Sequence, residues 1–275
     1  MFNCQKIESF DAPELRPYRT MRRQVEQREE GIFVAEGEKV VRRLLESALT
    51  VVSVLLPEKW FHDLQPILQR RPELISVFVG DKKLLETLTG FSMYQGLLAV
   101  GKVPPPIPLD QILDAAPHPR LVVAVDSLSS AENLGAIVRN CAAFNVHGLI
   151  VSERCSSPFL RRAVRSSMGA IFQLPVLEMR QESGSLATAL RQLQARGTRC
   201  IAAHPHVDGR TLSEADFTGD CCVVFGSEGY GISPEVLSMC DDAVAIPMAG
   251  TVDSLNVASA AAAFLYEANR QRGRA

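Results

Sequence analysis

Three short segments hold most of the side chains in this chain that could do chemistry together. In "DSLSSAENLGAIVRN" (126–140), Asn133 stands where it can cap a helix and Gly135 lets another backbone come close. Arg139 follows about one and a half turns later. In "VVFGSEGYGIS" (223–233), three glycines surround Glu228, so tight turns and exposed amides are offered to a flat or anionic ligand. In "TVDSLNVASAAAAFLYEANR" (251–270), a run of strong helix formers begins near Ala258. Asp253 or Ser254 is the sensible N-cap there, which leaves Asn256 without a capping duty. That stretch reads either as a capped, tightly packed C-terminal helix or as a helix N-terminus that faces a ligand beside Ser254 and Asn256. Any one segment alone reads as an ordinary joint; three polar, Gly-punctuated segments at strand ends of one domain point to a shared site.

The elements that must position them follow an alternating pattern. "LVVAVD", "GLIVS", "TRCIAAH", "CCVVFG" and "AVAIP" are short apolar strands, separated by helical stretches such as "NLGAIVRNCAAFN", "PFLRRAVRSSM" and "SLATALRQLQARG". Such alternation predicts an α/β domain with a mostly parallel sheet covered on both faces. Ligands of such sheets sit beyond the carboxyl ends of the strands. Residues 1–103 alternate in the same way, from "GIFVAEG" through "VVSVLL" and "ISVFVG" to "QGLLAVGK", and predict a separate small α/β domain. Between the two, "VPPPIPLDQILDAAPHPR" carries six prolines from Pro104 to Pro119 and predicts a semi-rigid linker over 104–119, with the second domain at 120–275.

Composition excludes several classes. Hydrophobic residues are 47% and charged residues 22%, a globular profile with material for a sizeable core. No apolar run approaches the ~20 residues that span a bilayer, and the N-terminal stretch has acids and no long apolar segment, unlike a signal peptide. Seven cysteines without regular spacing, no C-x-x-C and no H-E-x-x-H predict a reduced, cytoplasmic chain with no metal site. His204 and His206 lack a third ligand and are not read as one. The Gly-rich turn is neither a Walker A motif nor a G-x-G-x-x-G fingerprint. A net charge of −2 argues against a simple electrostatic nucleic-acid binder, yet residues 154–177 contain Arg154, Arg161, Arg162 and Arg165 and no acid. The N-terminal arginines 16, 19, 22, 23 and 28 are interleaved with six acids and read as a solvated face.

"NLGAIVRNCAAF", "VVFGSEGYGIS" and "IPMAGTVDSLNVASAAAAFLYE" resemble, in order and interval, the three signature motifs of the SpoU (TrmH-type) branch of the SPOUT RNA methyltransferases. The resemblance covers residues 121–270. "FVAEGEKVVRRLLES" with "YQGLLAVGKV" is similar to the small ribosomal-protein-like domain that often precedes it and binds the RNA substrate. The resemblance implies methyl transfer from S-adenosyl-L-methionine to a ribose 2′-hydroxyl of tRNA or 23S rRNA. It also implies a C-terminal trefoil knot and a homodimer formed around the cofactor site.

By the same resemblance Gly226, Ile246 and Leu255 would hold the cofactor largely through backbone groups, with Met248 nearby, and Gly226 would keep the approach free of a side chain. Asn133, Arg139, Glu228, Ser254 and Asn256 match the family's polar site positions, with Glu228 placed to fix Arg139 or Asn133. Arg139 matches the position thought to activate the hydroxyl. A guanidinium is a poor proton acceptor, so Arg139 either sits in an unusual environment or orients ribose and phosphate while another group takes the proton. Arg161, Arg162 and Arg165 are read as facing RNA phosphate beside the site, and Tyr230 as stacking on a base or on the adenine, or as lining the loop. The alternative function is an RNA-binding protein that keeps the fold and has lost catalysis; cofactor binding separates the two.

Overall fold

The protein is described from a computed structural model covering residues 1–89, 96–180, 184–205, 210–250 and 253–273, with only the backbone of Gln24 and Thr89. The chain begins with β1 (Phe2–Lys6), α1 (Arg16–Arg19), α2 (Gln24–Glu29), β2 (Ile32–Glu36) and α3 (Glu38–Glu46). β3 (Val51–Pro57), α4 (Glu58–Arg70), β4 (Ile75–Gly80), α5 (Lys82–Thr89) and β5 (Leu98–Lys102) follow. Next come α6 (Leu109–Ala115), β6 (Leu121–Val125), α7 (Ala131–Ala143), β7 (Gly148–Val151), α8 (Arg161–Ser166), β8 (Val176–Glu178) and α9 (Leu186–Ala195). The last elements are β9 (Arg199–Ala203), β10 (Arg210–Thr211), β11 (Cys221–Phe225), α10 (Pro234–Leu237), β12 (Asp242–Ala245) and α11 (Val257–Gln271). Among the described residues no helix is long and apolar enough to cross a membrane.

The elements form two compact units, Met1–Pro105 with Phe159–Phe172, and Pro106–Pro158 with Gln173–Ala275. In the first, five strands lie in the order β1-β4-β3-β5-β2, with β5 antiparallel to both of its neighbours. The alternation of residues 1–103 anticipates every strand except β1, whose "FNCQK" has no apolar periodicity because it is an exposed edge paired in parallel with β4. Leu15, Tyr18, Leu55, Phe78 and Leu98 fill one core of this unit. The Tyr18 hydroxyl, fully buried, is matched by Ser53 Oγ at 2.8 Å. Phe33 sits over Gly101, its cross-strand partner, where a Cβ would come within 2.5 Å of the ring. The rings of Phe159 and Phe172 lie 5.5 Å from Phe33, and Ala163 and Val164 of α8 are buried. The arginine-rich helix α8, read from the sequence as part of the second domain and close to its motifs, therefore packs within the first unit. Continuity along the chain suggested otherwise; the apolar residues that flank the helix decide it.

The second unit is built on a parallel sheet of seven strands in the order β10-β12-β9-β11-β6-β7-β8. β6 (LVVAV) and β11 (CCVVF) are buried at every position, as continuous apolar runs should be when helices cover both faces. The Pro-rich stretch expected to be a connector contains α6, whose Leu109 and Leu113 join the core beside Val122, Leu190 and Val224. Pro108 begins that helix, and Leu109, Ile112 and Leu113 recur at helical spacing, a period that the prolines around it mask in the sequence. The C-terminal arginines are also structural: Arg272 donates to the carbonyls of Phe217 (2.8 Å) and Gly219 (2.7 Å), and Arg270 pairs with Glu267 at 2.7 Å. Arg274 lies outside the described residues.

Candidate functional site

In the second unit, successive strands step away from β6 through β7 to β8 on one side, while β11 lies against its other side. Loops leaving adjacent strands with oppositely wound connections splay apart, and a crevice opens beyond their carboxyl ends. Asp126, 2% exposed, directly follows β6. Its amide donates to Phe225 O (2.8 Å), while its carboxylate accepts from the Ser233 amide (2.8 Å) and Ser127 Oγ (3.0 Å). Asp126 thus ties the first polar segment to the second. In the sequence it is an acid within "DSLSS" at a strand end, which gives no hint of a partner more than a hundred residues away. Beneath the loop, the Leu128 amide donates to Cys155 Sγ at 3.2 Å, and burial pushes the Cys155 thiol up, so it offers no ready thiolate.

The Gly-rich segment is a small closed hairpin. Ser227 and Gly231 exchange both backbone hydrogen bonds (2.9 and 3.0 Å), and Ser227 Oγ accepts from the Tyr230 amide. Gly231 takes φ +66°, the left-handed region where glycine is favoured. Gly226 has a structural duty besides the one expected from ligand approach. A Cβ there would collide with the backbone of Gly231 and Ile232, so the glycine admits the returning arm of its own hairpin. The hairpin carries Glu228 to the surface and leaves Tyr230 97% exposed at its tip.

Three of the five polar residues singled out in the sequence meet. Glu228 Oε1 accepts from Asn133 Nδ2 and from Asn256 Nδ2 (3.0 Å), and Asn256 Nδ2 also reaches Asn133 Oδ1 (3.1 Å). Asn133 and Asn256 are 123 positions apart. Both caps differ from the expected ones. Ser130, not Asn133, caps α7 by accepting from the Asn133 amide at 3.2 Å, which frees the asparagine side chain for Glu228. Asn256, not Asp253 or Ser254, caps α11, its Oδ1 accepting from the amides of Ala258 (3.0 Å) and Ser259 (3.4 Å). An amide side chain can do both jobs at once because its oxygen accepts while its nitrogen donates. Glu228 fixes Asn133, one of the two partners anticipated for it. Arg139 is exposed on α7, outside the cluster, with no side-chain hydrogen bond or ion pair among the described residues. Six helical positions separate it from Asn133, which turns its side chain away by about a third of a revolution.

Beside the cluster lies a half-open cleft of about 270 Å³. Gly226, Ile246, Met248 and Leu255, the four residues expected to hold a cofactor, all line it, as do Glu228 and Ser254. Sequence reasoning missed its apolar floor of Phe225, Val244, Val257 and Phe264, residues that read simply as core. Phe264 packs edge-on to Phe225 with centroids 5.7 Å apart. The rim is backbone-rich, from Gly226 through Gly231, and Tyr230 and His204 also border it. His206 lies outside the described residues, among which no group of three His, Cys, Asp or Glu could hold a metal ion. Arg161 and Arg165 of α8 both pair with Glu36 within the first unit, and Arg162 is exposed there.

Comparison with known proteins places this geometry in context. Residues 120–266 match the SpoU rRNA Methylase family. The chain is 34% identical over 245 residues to an uncharacterized tRNA/rRNA methyltransferase of Mycobacterium leprae, covering 88% of this chain and 71% of that protein. A relative of the same description in Mycobacterium avium is 39% identical over 72% of this chain, which spans 63% of that protein's length. Among solved structures, the SpoU methyltransferase AviRb from Streptomyces viridochromogenes, in complex with the cofactor AdoMet, aligns with a TM-score of 0.79 and 28% identity over 96% of this chain and 100% of that one.

Proposed function

This chain belongs to the SpoU rRNA Methylase family, and on that premise we propose that it transfers a methyl group from S-adenosyl-L-methionine to a ribose 2′-hydroxyl in tRNA or 23S rRNA. The observation that carries the reading is convergence: Asn133, Glu228 and Asn256, drawn from three separate segments, form one hydrogen-bonded cluster bordering the cleft. The cleft suits the cofactor. Its apolar floor accepts a flat base, and its glycine-rich rim lets polar edges meet backbone groups with no side chain between. Gly226, Ile246, Met248 and Leu255 are the residues that would hold it. When bound, the cofactor supplies a methyl group on a sulfonium.

The chain's own residues supply placement. Glu228 Oε1, held by two amide donors, keeps Asn133 and Asn256 in fixed orientation at the cleft, so little reorganisation is needed when a nucleotide arrives. Ser254, exposed on the cleft wall, can donate to a ribose or phosphate oxygen. Arg139, exposed and outside the cluster, is suited to a site completed by a second copy in a homodimer. There its fixed positive charge would orient ribose and phosphate and favour the developing alkoxide. The C-terminal knot of the family belongs to the same reading, as does a cytoplasmic setting.

The test is transfer of labelled methyl from S-adenosyl-L-methionine to unmodified transcripts of tRNA and 23S rRNA, followed by digestion to nucleosides. A 2′-O-methyl nucleoside in one RNA, lost in Arg139→Ala while cofactor binding persists, supports the assignment. A methylated base would move the acceptor from ribose to base. Absence of cofactor binding by calorimetry would sink the enzyme reading and leave an RNA-binding protein of this fold.

A further inference from the structure

The first unit contains a second cavity, of about 260 Å³, lined by Met21, Arg22, Gln27, Leu160, Arg161 and Arg162. Three arginines converge on it from two parts of the chain well over a hundred residues apart, Arg22 just ahead of α2 and Arg161 and Arg162 at the start of α8. Gln27 is 5% exposed, and its Nε2 has no hydrogen-bond partner among the described residues. A buried amide donor without a partner is costly, so its retention in a wall of guanidinium groups calls for an acceptor that the described residues do not provide. Glu36 takes Arg161 and Arg165, and Glu26 takes Arg16 and Arg23 at 3.2 Å. The pairing with Glu36 also fixes the position of Arg161, because both ends of the contact are largely buried. Guanidinium forks and an amide N–H around a cavity of this size match the oxygens of a tetrahedral phosphate.

We propose that this cavity seats one phosphate of the RNA backbone, held by Arg22, Arg161, Arg162 and Gln27. The inference rests on the RNA reading above and deepens it, since it assigns substrate contact to Arg22, which the sequence places among solvated arginines, and to Gln27, which carries no charge. It leaves Arg165 out of the contact, because that residue pairs with Glu36 and does not line the cavity. The chemistry is shared by a backbone phosphodiester and by free phosphate, and the cavity is assigned to the first.

The test uses the full chain with three variants, Arg22→Gln, Arg162→Gln and Gln27→Leu. Arg22 and Arg162 are exposed, so their variants should fold. Binding is measured to the transcript methylated best by the wild type, across a salt series, and to inorganic phosphate by thermal shift at constant ionic strength. Each variant should weaken RNA binding about tenfold. The two arginine changes together should lower the slope of log K against log salt by about 0.7, the value for one phosphate of a single strand, and not by twice that. Gln27→Leu should raise the melting temperature while weakening binding, because it removes the orphaned donor; a merely structural glutamine would give a lower melting temperature and unchanged binding. Wild-type RNA affinity in all three variants, with methyl transfer intact, overturns the pocket and leaves the function standing. A phosphate-dependent shift lost in the variants with RNA affinity unchanged overturns the RNA assignment in favour of free phosphate. No RNA binding and no methyl transfer by the wild type overturns the functional reading itself, and this inference with it.

Discussion

Asn256 performs two separable tasks, and replacing it in three ways tells them apart. Its Oδ1 caps α11 through the Ala258 and Ser259 amides, and its Nδ2 donates to Glu228 at 3.0 Å and to Asn133 at 3.1 Å. Loss of an N-cap oxygen costs about 1 kcal/mol. The two donor contacts are exposed and together add about 0.5–1 kcal/mol. Asn256→Ala should therefore destabilise the protein by about 1.5–2 kcal/mol, a fall in Tm of about 4–6 °C for a unit of this size. Asn256→Ser keeps an oxygen that can cap but loses the amide donor, so it should recover the first kilocalorie and not the rest. Asn256→Asp keeps the cap and sets a second carboxylate against Glu228, so it should stay folded at neutral pH and lose methyl transfer as completely as the alanine variant. Chemical denaturation and single-turnover methyl transfer read the two tasks on the same samples. If the serine and alanine variants are equally destabilised, the cap is not what Asn256 contributes. If the aspartate variant transfers methyl at the wild-type rate, the cluster with Glu228 is not part of the site.

Gly226→Ala should cost about 1–3 kcal/mol and abolish cofactor binding, because its Cβ meets the backbone of Gly231 and Ile232, whereas Gly229→Ala, with open space around the added methyl, should stay within about 0.5 kcal/mol of wild type; equal effects in urea melts would refute the packing argument. The remaining prediction concerns acid stability. Burial works against the charge of Asp220, but the Arg120 amide at 2.7 Å, His118 and the Arg120 guanidinium outweigh it and hold its carboxyl below the usual carboxylate range. A group whose folded pKa is lowered contributes stability that is present above its unfolded pKa of about 3.9 and is lost as pH falls through the folded value. Asp220→Asn should therefore lower Tm at pH 7 and flatten the decline of Tm from pH 5 to pH 2; a variant whose acid limb runs parallel to that of the wild type would rule Asp220 out as a contributor.

Much of the site was legible because its chemistry is concentrated in short segments. Glycines 226, 229 and 231 around Glu228 mark a tight turn in any context, and the hairpin is there. Gly226, Ile246, Met248 and Leu255 line one cleft. The cap assignments were not legible. Asp253, Ser254 and Asn256 are all good capping residues, and only the partner at Glu228 shows which one turns inward. The same holds for Ser130 and Asn133 before α7. The Pro-rich stretch concealed α6 because prolines dominate its composition, while the three apolar residues that seat it are few.

By itself the sequence determined the alternation of strands and helices, the apolar runs of β6 and β11 that must lie in the middle of a covered sheet, and the three polar segments at strand ends. Those follow from local rules: side-chain period, backbone permissiveness at glycine, and the requirement that continuous apolar strands be buried on both faces. Tertiary structure alone decided that α8 packs with Phe33 in the first unit, that Asp126 anchors the Ser233 amide, and that Asn133, Glu228 and Asn256 share one set of hydrogen bonds. Each is a pairing between groups far apart in the chain, and several partners offer similar local chemistry. Which of them meet depends on how the sheet orders its strands, and that order is a property of the packed whole.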